Sequence, residues 1–552
     1  MARGFESNGP GGSRARPTLL NGCPTGGRPL GHHRRSPSAG NRARDSTRSP
    51  SPRPRGRPRG DHALTSNTSE KSQRTLQAWT QQQRYAEAMI PIIGELYREH
   101  GVIVTLFGNS LVNKSPLEIQ ELHRIARVNV DPEIHITEVY PILAEMAVLD
   151  LAPARIDVGN LVTHWRGRSR SVSVADFVRD ELAGIATGKA SIRPNPQDVV
   201  LYGFGRIGRL VARILAGKTG GGDNLRLRAI VVRPGGPDDL QKRADLLRRD
   251  SIHGSFSGEV LIDKEENALV INGNLVHMIY ANSPAEIDYT KYGIRDAVVV
   301  DNTGSWRTRE QLQKHVEVPG ASKVVLTAPG KGDVPNIVYG VNHHGMREAG
   351  AVLSAASCTT NAIVPVLKVV HDEYGIQAGH VESIHSFTND QNLIDNYHRK
   401  ARRGRAAPLN MVVTETGAAS AVAKCLPELK GKLTGNAIRV PTPNVSLAVM
   451  SLFVEQAVTK EELNEYLLKA SLEGDLQNQI DFVNSTEAAS TDFVGNRFAG
   501  IVDAQATQAQ GNHIVLYVWY DNEFGYSRQV VRCLEELAGV VMPNFPKRAR
   551  AV

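Results

Sequence analysis

The chain has 552 residues, 41% of them hydrophobic and 22% charged, enough for roughly four folding units with cores of their own and no need of disulfides or metals. No uninterrupted apolar run is long enough for a membrane-spanning helix. Four well-separated cysteines, Cys23, Cys358, Cys425 and Cys533, exclude a disulfide framework or a zinc ribbon and suit a reducing compartment. The net charge of +8 is local: residues 1–60 hold 13 Arg and no Lys against Glu6 and Asp45, a net +11, which leaves the remainder at −3.

Residues 1 to about 72 consist largely of Arg, Pro, Gly and Ser and lack the apolar content that offsets chain entropy, so they are expected to be disordered. Their Pro and Gly density argues against the amphipathic helix of an organellar transit peptide. From about 73 to 196 the pattern is helical. Tyr85, Met89, Ile92, Ile93 and Leu96 recur at helical spacing, with Pro91 expected to cap or kink that helix, and Val139, Ile142, Leu143, Met146 and Leu149 make a second apolar face. Ser115-Pro116-Leu117-Glu118 and Ser173 to Asp176 read as helix starts. A small all-α extension follows, with no catalytic constellation and with histidines at no metal-ligand spacing.

Asp198-Val199-Val200-Leu201-Tyr202 is a short β-rich run that leads into Gly203-Phe204-Gly205-Arg206-Ile207-Gly208 and a helical stretch to Leu215. In a strand–turn–helix context this is a dinucleotide fingerprint: the glycines allow a tight turn, close backbone approach to a pyrophosphate and helix–strand packing, and the helix start offers free N–H groups. A second strand is expected over about 226–233. Its end, Ile230-Val231-Val232-Arg233, lacks the acid that holds the ribose 2′-hydroxyl of NAD. Arg233 suits a 2′-phosphate, so NADP is the preferred cofactor and NAD the second; Asp238 or Asp239 still lies close enough to reach a ribose.

Ser357-Cys358-Thr359-Thr360-Asn361 opens an apolar helical pattern through Ile363, Val366, Leu367 and Val370. A cysteine in a first helical turn gains thiolate character from the free N–H groups, and flanking hydroxyls offer donors. Cys425 and Cys533 sit inside apolar helical patterns and read as structural. The candidate base is His385 in Ser383-Ile384-His385-Ser386-Phe387-Thr388, on a strand that can return beside the cysteine helix.

The glycine turn, Ser357 to Asn361, the His385 strand, Thr416-Gly417-Ala418-Ala419, Arg439-Val440-Pro441-Thr442 and Trp519 to Ser527 together resemble glyceraldehyde-3-phosphate dehydrogenase, in that family's order, over about 198 to 540. The region from about 73 resembles the extension of the long bacterial form. The resemblance implies an α/β chain: a Rossmann dinucleotide-binding domain over 197–357, an α+β catalytic domain with an antiparallel sheet over 358–523, a helix within 524–540 returning to the first domain, and a basic tail over 541–552. It implies Cys358 as nucleophile and His385 as base. Gly203, Phe204, Gly205, Arg206, Ile207, Gly208, Arg233, Thr303, Thr327, Asn522 and Tyr526 would bind the cofactor. Ser357, Thr359, Thr388, Arg405, Thr416, Gly417 and Arg439 would bind the substrate and attacking phosphates, the alternatives being helix caps for Ser357 and Thr416 and surface charges for the arginines. The implied reaction oxidises glyceraldehyde 3-phosphate through a thioester that inorganic phosphate resolves, with a gluconeogenic direction open to it, in a cytoplasmic homotetramer without membrane or metal.

Asp390 stands where many members have a threonine, and a carboxylate there repels a phosphate unless paired. Asn396-Tyr397 also departs from the pattern of strictly NAD-dependent members. Two rival functions remain open on sequence: the sister erythrose-4-phosphate dehydrogenase, and a regulatory or nucleic-acid-binding protein acting through its basic tail.

Overall fold

The computed structural model describes residues 62–168, 172–186, 195–218, 224–473, 475–540 and 542–546. Most of the basic tail and Cys23 lie outside them. The chain divides into two compact units, 1–68 and 69–552; of the first, only the start of a helix is described, and the sheets and sites belong to the second.

Helix His62–His100 begins within the stretch expected to be disordered and runs through Pro91 without ending. Ala86, Met89, Ile93 and Leu96 are buried on both sides of the proline, so packing of one apolar face outweighs the hydrogen bond that the proline removes. The capping box expected at Ser115 is present at the start of Pro116–Asn129, and Ser173 caps Val174–Leu182. The extension is nevertheless mixed α/β rather than all-α: Asn109–Ser110, Ile103–Leu106, Arg155–Asp157 and Asn544–Phe545 form a four-stranded sheet in that order. Strands of two to four residues are too short to show alternation, and one comes from the far end of the chain, in the segment expected to be a tail. Phe545 is buried in the extension's apolar core.

An eight-stranded sheet follows, ordered Val352–Ser354, Ala321–Leu326, Ala297–Asp301, Gln197–Tyr202, Leu225–Val232, Asn274–Tyr280, Ala268–Ile271 and Val260–Asp263. Gln197–Tyr202 is buried along its whole length, as a strand covered on both faces must be. It pairs in parallel with Leu225–Val232 on one side and Ala297–Asp301 on the other, so the glycine turn leaves the sheet where the strand order reverses, the place where α/β sheets bind ligands. Helix Phe524–Leu537 packs on helix Arg206–Ala216, and its Val530, Val531, Cys533 and Leu534 share the apolar core of this layer.

A second eight-stranded sheet carries the chemistry. It is mainly antiparallel, but Ile376–Ser386 runs parallel to Leu433–Val440 and Ile480–Val483 parallel to Gly500–Asp503. Helix Cys358–Tyr374 packs on it, and Cys425 lies in the same core. No helix of the described residues is long and apolar enough to cross a membrane.

Candidate active site

Each glycine of the turn has a separate physical reason. Gly203 has φ +96°, a conformation that disfavours any side chain. A Cβ on Gly208 would stand 2.4 Å from the Gly203 carbonyl oxygen, so helix and strand touch backbone to backbone there. Gly205 precedes the helix and has open space where its side chain would be. The helix start thus offers N–H groups to a clear volume, which fits a dinucleotide pyrophosphate. Phe204 is buried. Arg206 turns away to pair with Asp250 and Glu523, fastening the glycine turn to the start of Phe524–Leu537, and Ile207 packs against the core.

Around this turn, Thr303 donates to Asp301 Oδ1 at 2.7 Å from its hydroxyl and its backbone N–H, and Thr327 Oγ1 donates to the Asp301 carbonyl at 3.0 Å. Both threonines therefore line the end of the central strands. Arg233 is exposed at the end of Leu225–Val232, and its guanidinium has no ion pair among the described residues. Asp239 is taken by Arg243 at 2.7 Å.

Cys358 is the first residue of helix Cys358–Tyr374, capped by Ser357, whose Oγ accepts from the Thr360 N–H at 3.1 Å. The helix rises about 25 Å, and after Gly375, at φ +67°, strand Ile376–Ser386 runs back over roughly 35 Å, enough to return to the start of the helix. The return brings His385 Nε2 to 3.4 Å from Cys358 Sγ. Two non-glycine residues at positive φ flank the pair. Ala356, φ +55°, is held by a hydrogen bond from Tyr526 Oη to its carbonyl at 2.9 Å; Val445, φ +62°, accepts from Ser386 Oγ at 2.6 Å. Strained backbone of this kind persists only where its surroundings over-determine it. Ser446 then donates to Asn522 Oδ1 at 2.9 Å, which orients that amide.

Burial raises the Cys358 thiol above its ordinary range, opposed by Arg439 and by the amides of the first helical turn. The expected gain in thiolate character is therefore present but outweighed. Burial, and after it Arg439, pushes His385 down to about 3. The resting pair is a neutral thiol beside a neutral imidazole. His385 Nδ1 lies 2.7 Å from the Ser386 carbonyl and 2.8 Å from Arg439 Nη1. Arg439 Nη1 also donates to that carbonyl at 3.0 Å. The tautomer with Nδ1–H directed at the carbonyl, an oxygen that also accepts from Arg439, leaves Nε2 as the acceptor facing the thiol, the form a base requires; the tautomer in which Nδ1 accepts from Arg439 does not.

Arg439 is the register neighbour of His385 on the adjacent parallel strand, and its Nη1 reaches Thr388 Oγ1 at 3.4 Å. Thr388 donates to Asp390, which pairs with Arg403. The carboxylate that threatened to repel a phosphate is thus neutralised. Arg405, in contrast, is exposed and pairs with Asp395 at 3.0 Å. Of the arginines in Arg402-Arg403-Gly404-Arg405, at the short 3-10 turn Ala401–Gly404, Arg403 is half-buried against Asp390 whereas Arg405 lies at the surface. Arg403 Nε and Arg439 Nε are both buried without a partner.

Thr359 is buried, its hydroxyl 2.9 Å from Tyr520 Oη. Thr416 Oγ1 accepts from the Ala418 N–H at 3.2 Å, and Gly417 precedes helix Ala418–Cys425. Ser357 is thus a helix cap, whereas the cap position of Ala418–Cys425 is Gly417, with Thr416 one residue before it. Tyr520, not singled out from the sequence, shares its hydroxyl with Thr359 and Ser383, both at 2.9 Å, and packs edge-on against His385. Its signal was its place in Trp519 to Ser527.

The family model described as glyceraldehyde 3-phosphate dehydrogenase, NAD binding domain, matches residues 197–309, and that for the C-terminal domain matches 357–522. A glyceraldehyde-3-phosphate dehydrogenase-like protein of Pseudomonas aeruginosa (strain UCBPP-PA14) is 59% identical over 461 residues, 83% of this chain and 100% of that protein. Glyceraldehyde-3-phosphate dehydrogenase 2 of Trichormus variabilis (strain ATCC 29413 / PCC 7937) is 40% identical over 342 residues, 62% of this chain and 98% of its own length; glyceraldehyde-3-phosphate dehydrogenase 1 of Bacillus subtilis (strain 168) is 41% identical over 335, 60% and 96%. The Pseudomonas match is longer than the stretch from 197 to the end, so that likeness includes much of the N-terminal extension. The nucleotide fold, the ordered motifs and these matches agree, and the chain belongs to the glyceraldehyde-3-phosphate dehydrogenase family, in its long form with an N-terminal extension.

Proposed function

We propose that the chain is a phosphorylating glyceraldehyde-3-phosphate dehydrogenase that prefers NADP over NAD. The observation that carries this reading is Cys358 Sγ within 3.4 Å of His385 Nε2 at the start of a helix, with Arg439 against the same imidazole. Cys358 attacks the aldehyde carbon as His385 Nε2 takes the thiol proton, so a pair neutral at rest ionises only as the carbon–sulfur bond forms. The imidazolium returns that proton to the former carbonyl oxygen, so the product is a thiohemiacetal on Cys358 with His385 neutral again. A dinucleotide bound at the Gly203–Gly208 turn supplies the hydride acceptor. His385 removes the hydroxyl proton as the thiohemiacetal becomes a thioester, and inorganic phosphate then displaces the Cys358 sulfur to release 1,3-bisphosphoglycerate. Arg439, Arg403 and Thr388 are placed for phosphate oxygens, and the unpartnered Nε atoms of both arginines support an anion there.

NADP preference is supported by the exposed, unpaired Arg233 and by the capture of Asp239 in an ion pair, which leaves no free carboxylate aimed at a 2′-phosphate from that position. A homotetramer, with either direction of flux, accords with the family and with the exposed Leu393, Ile394, Tyr397, Leu409 and Met411 on one stretch of the catalytic domain. The test is steady-state oxidation of glyceraldehyde 3-phosphate with NADP and NAD in parallel, with and without phosphate. Phosphate-dependent turnover, faster with NADP, is expected. Phosphate-independent turnover confined to erythrose 4-phosphate would replace the reading with the sister activity.

A further inference from the structure

On the side of the molecule where the extension meets both sheets lies a cavity of about 860 Å³ that the proposed reaction does not use. Its wall draws on all three layers: Tyr97 and Arg155 from the extension, Lys218 and Arg532 from the nucleotide layer, and Lys469 and Gln479 from the catalytic layer. The volume is that of a small-molecule site rather than of a packing defect.

Its charge is unbalanced. Arg155 and Arg532 stand on its wall, and burial, with Arg528 nearby, lowers the proton affinity of both. The acids nearby compensate only in part: Glu535 and Asp157 act on Arg155, and Asp475 stands on the same wall with an interaction of its own. Glu535 is held by Lys218 and stands 3.7 Å from Arg528 Nη1. Asp157 is saturated by Thr105, Phe107, Gly108 and Asn160. Asp481 accepts from Asn496 and from the Phe482 N–H, Asp372 is taken by Lys368 at 2.8 Å, and Glu536 by Arg347 at 3.1 Å.

What remains is donor capacity without acceptors. Among the described residues the Arg155 guanidinium has neither an ion pair nor a hydrogen bond. Gln479, 1% exposed, leaves both amide atoms unpartnered on the same cavity wall. Buried polar groups are rarely orphaned, and buried unpaired guanidinium groups are costly. Their concentration around one cavity is the pattern of a site lacking its anion. Aromatic rings complete the wall: Tyr339 and His343 lie 4.3 Å apart between centroids, tilted by 39°, and His343 and His344 4.1 Å apart, tilted by 38°, which offers a surface for a flat ring.

We propose that this cavity is a second ligand site, separate from the dinucleotide and catalytic sites, that binds a phosphate-bearing small molecule through Arg155 and Lys469. The phosphate is the shared chemistry, and it can belong to a free inorganic anion or to a nucleotide whose ring uses the Tyr339–His343 surface.

The test is calorimetric titration of the full chain, under saturating NADP, with inorganic phosphate, pyrophosphate and ADP as separate probes. At least one is expected to bind with a dissociation constant of about 1 mM or tighter, weakened at least about tenfold, or roughly 1.4 kcal/mol, by Arg155→Gln and in the same direction by Lys469→Ala. Lys469 is exposed on its helix, so its variant keeps the test valid if Arg155→Gln does not fold. Tighter ADP than pyrophosphate identifies a nucleotide, and the reverse identifies an inorganic anion. Absence of binding by all three, or binding that neither variant changes, overturns the proposal. The comparison of variants reads the cavity alone, so it stands whichever cofactor the dehydrogenase prefers.

Discussion

The chain buries arginines in two places and balances them differently. At the active site Arg403 has Asp390 as a counter-charge, and Arg439 spends one nitrogen on the His385–Ser386 pair. At the second cavity, Arg155, Arg528, Arg532 and Lys218 share Glu535 as a neutralising acid. Taking a guanidinium out of water is costly unless its partners are supplied, so the first cluster is mostly self-satisfied and the second is not. The difference shows how a fold sets the same residue type to position chemistry in one place and to await a ligand in another.

The largest effect that sharpens this comparison is at the nucleophile. Cys358→Ser is expected to lower dehydrogenase turnover by at least about 10³-fold, and His385→Asn by roughly 10²- to 10⁴-fold, with circular dichroism unchanged. An active Cys358→Ser variant would sink the active-site assignment.

The next tests the cavity's balance. Burial pushes the Glu535 carboxyl up, but Lys218 and Arg528 outweigh it and hold it at about 2 against an ordinary 4.5. A depressed carboxylate contributes stability that is full above its unfolded value and is lost as pH falls through its folded value. Chemical denaturation should therefore show stability falling between pH 5 and about 2, and Glu535→Gln should remove on the order of 3 kcal/mol at neutral pH together with part of that slope. A neutral effect on stability would mean that the cations find other partners.

Smaller effects separate individual arginines. Since Arg439 opposes the rise of the Cys358 thiol, Arg439→Gln is expected to move the alkylation profile of Cys358 to higher pH and to cost roughly tenfold or more in turnover. Arg403→Ala should raise KM for the phosphorylated substrate about tenfold, whereas Arg405→Ala, which loses only an exposed pair, should change it less than about twofold. Equal effects of the two would show that both arginines serve the phosphate. Last, Arg233→Ala should weaken NADP by about five- to tenfold and leave NAD nearly unchanged, read as separate KM values.

Much of the site was legible because its parts are local. The glycine turn needs one strand, one helix start and three residues without side chains, and all of these are contiguous; the cysteine at a helix start is equally a short-range pattern. Asn522, Thr303 and Thr327 were recoverable only through resemblance, since nothing in their own neighbourhoods marks them. Arg403 was not singled out beside Arg405 because both lie in one basic run, and which of them meets Asp390 depends on the tertiary contacts of that turn. Tyr520 was visible within its motif but not as a support for His385, because its hydrogen bonds join two elements distant in sequence.

The sequence by itself determined the glycine turn between strand and helix, the candidate cysteine at a helix start and the family, because spacing and residue type are sufficient where the pattern is local. Only the tertiary structure decided that burial raises the Cys358 thiol and lowers the His385 imidazole, that the extension holds a sheet closed by Asn544–Phe545, and that Arg155 and Arg532 meet at one cavity. Each of these depends on desolvation and on contacts between segments hundreds of residues apart, and no local pattern encodes how far a side chain is removed from water or which distant partner it meets there.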